Sequence, residues 1–321
     1  TLSNGTPERP TNEGAPMNKK LVPLRSTFVN NYLRCPRLAL LNSKGEQVSK
    51  KQHYYLGGII GADLMQLVHN GVDVNTAEYA AQLFLNYMAT GEFSVDDDQR
   101  DIMISRVSTA IDNYRLWYED SGFETMFSEL TLYSDGSGGL PYAGRVDLVA
   151  RRDGEVYLLD GKTHGMWGKG ISLPKPTPES LGREFQLAFY SLIMQDGKAA
   201  IGDCPRGKPV SEWECEFIDF TIKPDHVGLI ELAYCIPYVR GDKAGESRGD
   251  PLYTIPYSDS MIDYAKEVAE YVGFNMAFNN YPRVSRYERG GNSCDYCQYK
   301  LGCFSDNVTG FRPTIPDWMK K

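Results

Sequence analysis

The chain has 321 residues, of which 41% are hydrophobic, 24% charged and 12% aromatic. That balance supports one large globular domain or two modest ones and excludes a fibrous or wholly disordered protein. The net charge of −8 argues against a surface coated in basic residues, but it leaves room for nucleic-acid binding through local patches.

Residues 1–25 are expected to be a flexible tail leading into a short strand or loop. The polar first 16 residues lack an apolar signal core and are taken as a loose or processed end, with Met17 a candidate start. Ser26 stands as an N-cap before Thr27, Phe28, Val29, Tyr32 and Leu33, whose spacing is helical. Cys35-Pro36 ends or kinks that helix, because a residue before proline is pushed out of the α region. Residues 55–70 open on glycines and continue with helical periodicity. Residues 75–120 predict two more helices, with Tyr79, Ala80, Leu83, Phe84 and Tyr87 on one face of the first. Ile102, Ile104, Val107, Ile111 and Tyr114 run along the second.

Near residue 125 the period changes. FSELTLYS, AGRVDLVARR and EVYLLDGK are separated by the glycine-bearing turns DGSGG and RRDGE, which predicts three consecutive antiparallel strands. Residues 168–182 are expected to be a loop, 183–196 an amphipathic helix, and 213–222 a fourth strand. Residues 240–252 are a further loop and 259–278 a final long helix. There is no internal repeat, no transmembrane run, and no P-loop, since GMWGKGIS lacks the required spacing.

Asp147 and the run Asp160-Gly161-Lys162 are the first candidates for chemistry. Asp160 and Lys162 are two apart on one strand, so their side chains leave the same face. If the RRDGE turn pairs the strands, Asp147 lies near Asp160 across the ladder. Two carboxylates with the Gly161 main-chain carbonyl make a hard oxygen site suited to Mg²⁺ or Mn²⁺. A lysine beside it can orient or deprotonate a water, or neutralise charge on a phosphate. Asp160 also ends the apolar run Val156-Tyr157-Leu158-Leu159, where a carboxylate is costly unless paired or metal-bound. Gln186 and Tyr190, one turn apart on the following helix, can present an amide and a phenol from one face. Glu129 could add a carboxylate, though its plainer reading is a surface glutamate.

The seven cysteines are Cys35, Cys204, Cys215, Cys235, Cys294, Cys297 and Cys303. An odd count without a signal core argues for reduced thiols and a cytoplasmic location. Cys294, Cys297 and Cys303 crowd into ten residues, and with the distant Cys35 they make four thiolates that suit Zn²⁺ or an iron–sulfur cluster. Spacing alone does not choose between them. Cys204, Cys215 and Cys235 are read as small, partly buried apolar side chains. Arginines that could contact substrate are Arg25, Arg34 and Arg37 early in the chain, and Arg283, Arg286 and Arg289 interleaved with Tyr281 and Tyr287.

Taken in order, STFVNNYLRCPR, GRVDLV, LLDGKT, QLAFY and CDYCQYKLGC resemble the RecB-like PD-(D/E)xK nucleases that carry an iron–sulfur staple. That group includes the CRISPR-adaptation (Cas-four) nucleases, their phage relatives and the AddB nuclease domain. The resemblance spans residues 26–304. It implies an α/β fold with a restriction-endonuclease-like core, a mixed central sheet flanked by helices. The single nuclease domain would cover 26–310, with a helical subregion at 55–120, a catalytic core at 125–225, a last helix and cysteine cluster at 259–304, and a tail at 311–321. It implies a [4Fe–4S] cluster on Cys35, Cys294, Cys297 and Cys303, and Mg²⁺ or Mn²⁺ on Asp147, Asp160 and the Gly161 carbonyl. Lys162 would be the catalytic lysine, with Gln186 and Tyr190 in the same site. The implied activity is DNA exonuclease, chiefly on single-stranded ends, with some endonuclease action, in recombination, repair or CRISPR adaptation. With no motor of its own, the chain would borrow a helicase, recombinase or CRISPR integrase partner or act alone, away from any membrane. One departure stands out. The family's G-x-x-x-H context reads Gly57-Gly58-Ile59-Ile60-Gly61 here, with glycine in place of the metal-binding histidine. His69, two turns on, Glu129 or water could fill that position. An alternative follows from the departure: a catalytically weakened DNA-binding or adaptor subunit.

Overall fold

The computed structural model describes residues 21–43, 51–136, 139–167 and 170–278. Cys294, Cys297, Cys303, Arg283, Arg286 and Arg289, and the residues beyond them, lie outside the described residues, as do residues 1–20.

The chain enters the fold at Leu24. Its N–H donates to the Pro141 carbonyl at 2.8 Å and its carbonyl accepts from Ala143 N–H at 2.9 Å, and its side chain is buried. Helix α1 (Ser26–Arg34) follows. Ser26 is not the N-cap: Arg25 holds that place in extended conformation, while Ser26 is buried with its hydroxyl hydrogen-bonded to Tyr190. Cys35 adopts φ −163 and ψ 111, the extended shape that Pro36 demands of it. Proline then starts α2 (Pro36–Ser43), where its missing N–H is harmless.

A helical lobe comes next. The short strand β1 (Lys51–Gln52) leads into α3 (His53–His69), α4 (Thr76–Ala89), β2 (Phe93–Ser94) and α5 (Asp97–Asp120). Asn75 caps α4 through the Glu78 N–H, and Asp96 with Gln99 forms a capping box on α5. Ala80, Phe84, Val107, Ile111 and Tyr114 are buried as their spacing predicts, whereas Tyr79 and Ile102 face solvent.

The main sheet has seven strands in the order β7-β6-β3-β4-β5-β8-β9. Strands β3 (Glu124–Ser134), β4 (Tyr142–Arg152) and β5 (Glu155–Lys162) are the three expected antiparallel strands. The short helix α6 (Pro178–Gly182), capped by Thr177, interrupts the expected loop. Helix α7 (Phe185–Asp196) precedes β6 (Gly197–Asp203) and β7 (Glu214–Phe220), and β8 (His226–Glu231), β9 (Leu252–Pro256) and α8 (Asp259–Ala277) complete the described chain. Strands β6, β8 and β9 were not expected from the sequence. β6 follows α7 with no turn between them. β8 pairs with β5 in parallel, across a crossover that leaves no hairpin signal.

Helices α1, α7 and α8 share one hydrophobic core with one face of the sheet, and α3, α4 and α5 share another with the opposite face. Cys204, Cys215 and Cys235 carry free thiols, half-buried or buried. No helix among the described residues is long and apolar enough to cross a membrane.

Candidate active site

The site forms at the C-terminal end of β5. Leu148 pairs with Leu159 in the antiparallel β4–β5 ladder, so the next position sets Asp147 opposite Asp160, as the turn predicted. Gly161 N–H, between Asp160 and Lys162, donates to Asp147 Oδ2 at 2.8 Å. Asp160 is buried at 2% exposure, and Lys162 Nζ forms an ion pair with its Oδ2. Lys162 also donates to Gln186 Oε1 at 3.1 Å. Gln186 Nε2 in turn donates to Asp160 Oδ1 at 2.6 Å and to the Tyr190 hydroxyl at 3.0 Å. The four residues that the i, i+2 and i, i+4 spacings singled out therefore form one closed network. Gly144 admits the Tyr190 ring onto β4, since a Cβ there would stand 2.5 Å from it.

The other side of the pair is less regular. Val146 belongs to the core under α7, yet Leu148, which strict alternation would put on the same face, belongs to the core under α3. The break falls at Asp147. Its neighbour across β3 is Glu129, because Leu130 pairs with Val146 and Ser128 with Leu148. Glu129 has φ +55, a left-handed conformation that bends a strand and re-aims its side chains. Asp147 and Glu129 are thereby turned toward a cavity of about 50 Å³ that His69, Met65 and Gly161 also line.

Glu129 is thus no surface glutamate. Its side chain is 11% exposed, and its Oε2 forms an ion pair with Arg145 Nε at 2.6 Å. Burial raises its pKa, with Arg145 opposing and Asp63 adding to the rise. His69 is buried, with Nε2 2.8 Å from the Tyr114 hydroxyl and Nδ1 3.4 Å from Ser128 Oγ. Burial pushes its pKa down to about 4. Its helix face, which runs through Gly58, Ala62, Met65 and Gln66, is the one that looks into the cavity. Gly61 looks elsewhere: a Cβ there would meet Thr163, Val107 and Leu232. Of the two neighbouring positions, Ala62 is the one that lines the cavity with the carboxylates.

Two clefts open from Asp147. One, of about 980 Å³, is walled by Tyr54, Tyr55, Tyr87 and Trp167 together with Arg145 and Arg206. Tyr54 and Tyr55 are 40% and 51% exposed with ring centres 4.5 Å apart. Trp167 packs flush against α3 at Gly57, where a Cβ would stand 2.6 Å from the indole. The other cleft, of about 480 Å³, runs past Gln186 and Tyr190 to Arg25, Arg145 and Arg206. Sequence reasoning passed over Arg145, Arg206 and the tyrosine pair, which only the folded chain brings to the carboxylates.

The carboxylates, Lys162, Gln186 and Tyr190 all lie within a stretch that matches one family. Residues 27–304 match the model of the PD-(D/E)XK nuclease superfamily. The chain belongs to that superfamily. No curated protein matches it. Membership carries hydrolytic nuclease chemistry, which in this superfamily typically uses Mg²⁺ or Mn²⁺, and the mixed sheet flanked by helices is its α/β core.

The donors here fit a hard divalent cation. Burial, then the charges of Asp160 and Glu129, push the Asp147 pKa well above the usual carboxylate range, against the pull of Gly161 N–H and Lys162. A cation relieves that crowding of negative charge. Among the described residues, no three His, Cys, Asp or Glu side chains are gathered closely enough to hold a metal by themselves. The fit therefore rests on two carboxylates plus main-chain oxygen. Cys35, the one described member of the expected cysteine set, is a half-buried free thiol between α1 and α2.

Proposed function

We propose that the protein is a metal-dependent DNA exonuclease acting on single-stranded ends, with some endonuclease activity. The observation that carries the reading is Asp147 opposite Asp160 with Lys162 on the Asp160 face, held by Gln186 and Tyr190. Asp147, Asp160 and the Gly161 carbonyl would hold Mg²⁺ or Mn²⁺, and Glu129 is the carboxylate best turned to join them. Bound there, the metal supplies Lewis acidity and lowers the pKa of a water.

The chain's own groups supply position and charge. An ammonium has three N–H donors. Lys162 directs two at Asp160 and Gln186, and the third is the one it gives to the attacking water or a phosphate oxygen. Gln186 fixes Asp160 and Lys162 at once, so the lysine does not swing away when substrate enters. Tyr190 closes the network from below. The preference for single strands is supported by the cleft walled by Tyr54, Tyr55 and Trp167. Exposed aromatic faces there can stack unpaired bases, and Arg145 and Arg206 can meet phosphates. A duplex keeps its bases inside.

For the cysteines we retain the reading of a [4Fe–4S] cluster on Cys35, Cys294, Cys297 and Cys303. It would tie the first helices to the far end of the chain. Iron and acid-labile sulfide in anaerobically prepared protein test this, and zinc in their place would overturn it. The setting we favour is DNA recombination, repair or CRISPR adaptation, beside a helicase, recombinase or integrase that presents the end.

The deciding experiment is cleavage of end-labelled single-stranded DNA with Mg²⁺ or Mn²⁺ by the wild type and by Lys162→Ala. Metal-dependent degradation that falls by about 100-fold or more in the variant is expected. Failure of fully metallated wild type to cut DNA that it binds would overturn the nuclease reading in favour of a binding or adaptor subunit.

A further inference from the structure

The two clefts that meet at Asp147 differ in chemistry, and the smaller one holds an unexplained charge. Arg25 stands immediately before α1, its backbone pinned by the hydrogen bonds of Leu24 to Pro141 and Ala143. Its guanidinium Nε and Nη2 are buried and have no hydrogen-bond partner. Its Cζ lies 5.7 Å from the centre of the Trp213 ring, a contact that steadies a cation but accepts no hydrogen bond. Burial, then the like charge of Arg206 and more weakly that of Arg145, draws its pKa down. No carboxylate is among the groups that act on it. Asp147, the acid that lines the same cleft, is not among those groups, and Glu129 is engaged by Arg145.

Three guanidinium groups thus line one cleft of about 480 Å³ together with Gln186 and Tyr190. A buried charged donor left without an acceptor is costly, and a fold tolerates it where an incoming anion supplies one. Guanidinium forks match the oxygens of a phosphate. We propose that Arg25, Arg145 and Arg206 form a subsite for a second phosphate of the DNA strand, next to the one being cut. This rests on the nuclease reading above and adds where the strand is gripped. The strand would run from the arginine cleft across Asp147 into the tyrosine cleft, since Arg145, Arg206 and Asp147 line both.

The test measures affinity, with cleavage switched off. Fluorescence anisotropy of a labelled single-stranded oligonucleotide in EDTA, over a salt series, compares the full-length wild type with Arg25→Ala, Arg25→Lys and Arg206→Ala. Each alanine variant is expected to weaken binding by about 10-fold or more and to flatten the slope of log K against log salt by roughly 0.7 for the lost phosphate contact. Arg25→Lys keeps the slope and recovers part of the affinity. Arg206 is exposed, so its variant folds even if losing the Arg25–Trp213 contact disturbs the first. A single neutral methylphosphonate, moved along the strand, should weaken wild-type binding at one position and leave Arg25→Ala indifferent there.

Oligonucleotides with a 5′-phosphate, a 5′-hydroxyl or no end at all separate the two sources of the phosphate. An Arg25-dependent gain confined to the 5′-phosphate assigns a terminal group, and a gain kept by circular strands assigns an internal one. Unchanged affinity and slope in both alanine variants would overturn the subsite. Cleavage by the wild type with Mn²⁺, run in parallel, judges the nuclease reading separately. An arginine effect without cleavage would sink that reading and leave the phosphate subsite standing.

Discussion

The two flanks of the Asp147–Asp160 pair are built differently. On the α7 flank the side chains of the site hold one another: Lys162 and Gln186 both reach Asp160, and Gln186 reaches Tyr190. On the α3 flank, Asp147 and Glu129 turn toward a cavity of about 50 Å³ with burial raising the pKa of both. The network of Lys162, Asp160, Gln186 and Tyr190 is pre-organised by its own contacts. The second flank is strained electrostatically and is completed by something that brings positive charge. Substitutions on the closed flank should therefore cost position, and those on the open flank should change charge and metal affinity.

The sharpest way to break the closed flank is Asp160→Asn. The amide keeps the shape but removes the charge that holds Lys162 and would bind metal. Metal-dependent cleavage should fall by about 1,000-fold or more, with DNA binding in EDTA retained. Gln186→Ala is a milder cut into the same network. It leaves Asp160 Oδ1 without its donor and Lys162 without its second anchor. The loss expected is about 10- to 100-fold in single-turnover cleavage, the worth of hydrogen bonds to charged groups. Tyr190→Phe should cost less than Gln186→Ala, because it removes one neutral partner. An order reversed between these two would mean that the phenol touches the reacting groups.

This contrast also explains what the sequence made legible. Asp160 and Lys162 are two apart on a strand, Gln186 and Tyr190 one turn apart on a helix, and Asp147 one tight turn away. All of these relations are local, and all stand as expected. The α3 flank depends on distant contacts: His69 meets Tyr114, 45 residues on, and Ser128, 59 residues on. Glu129 enters the site because its backbone takes φ +55, which no alternation pattern announces. Val146 and Leu148 likewise break the alternation that read the strand correctly elsewhere. In the fold, the hairpin-linked β3, β4 and β5 were visible from their turns. β8 was not, because its parallel neighbour β5 lies across a crossover that contains α6, α7, β6 and β7.

On the open flank, His69 gives a pH signature. Its folded pKa is lowered by burial to about 4, against about 6.5 in an unfolded chain. Between those values the unfolded state binds the proton and the folded state does not, so stability rises with pH across the window. It is fully present above about pH 6.5 and is lost as the pH falls toward 4, by about 3 kcal/mol in all. Asp147 and Glu129, with raised pKa, act in the opposite sense, so the measurement is a difference. Urea unfolding at pH 7 and pH 4.5 should show a smaller acid loss in His69→Phe than in the wild type. Equal losses would mean that His69 is not neutral and buried in solution.

The smallest effect expected sharpens the comparison rather than breaking it. Ala62 sits on the helix face that looks into the cavity, between Gly58 and Gln66, while a Cβ at Gly61 would point toward Thr163, 3.0 Å away, with Val107 and Leu232 beyond. An imidazole introduced by Ala62→His therefore faces Asp147 and offers a neutral nitrogen beside crowded carboxylates, a donor set that favours Mn²⁺ over Mg²⁺. The Mn²⁺ concentration needed for half-maximal cleavage should drop by about 10-fold, one ligand's worth, with little change for Mg²⁺. Gly61→His serves as the control, because its side chain meets Thr163 and Leu232 and should lower stability without tightening the metal. If the control tightened Mn²⁺ and Ala62→His did not, α3 would be rotated from the face described above, and Ala62 would no longer be the position that meets the carboxylates.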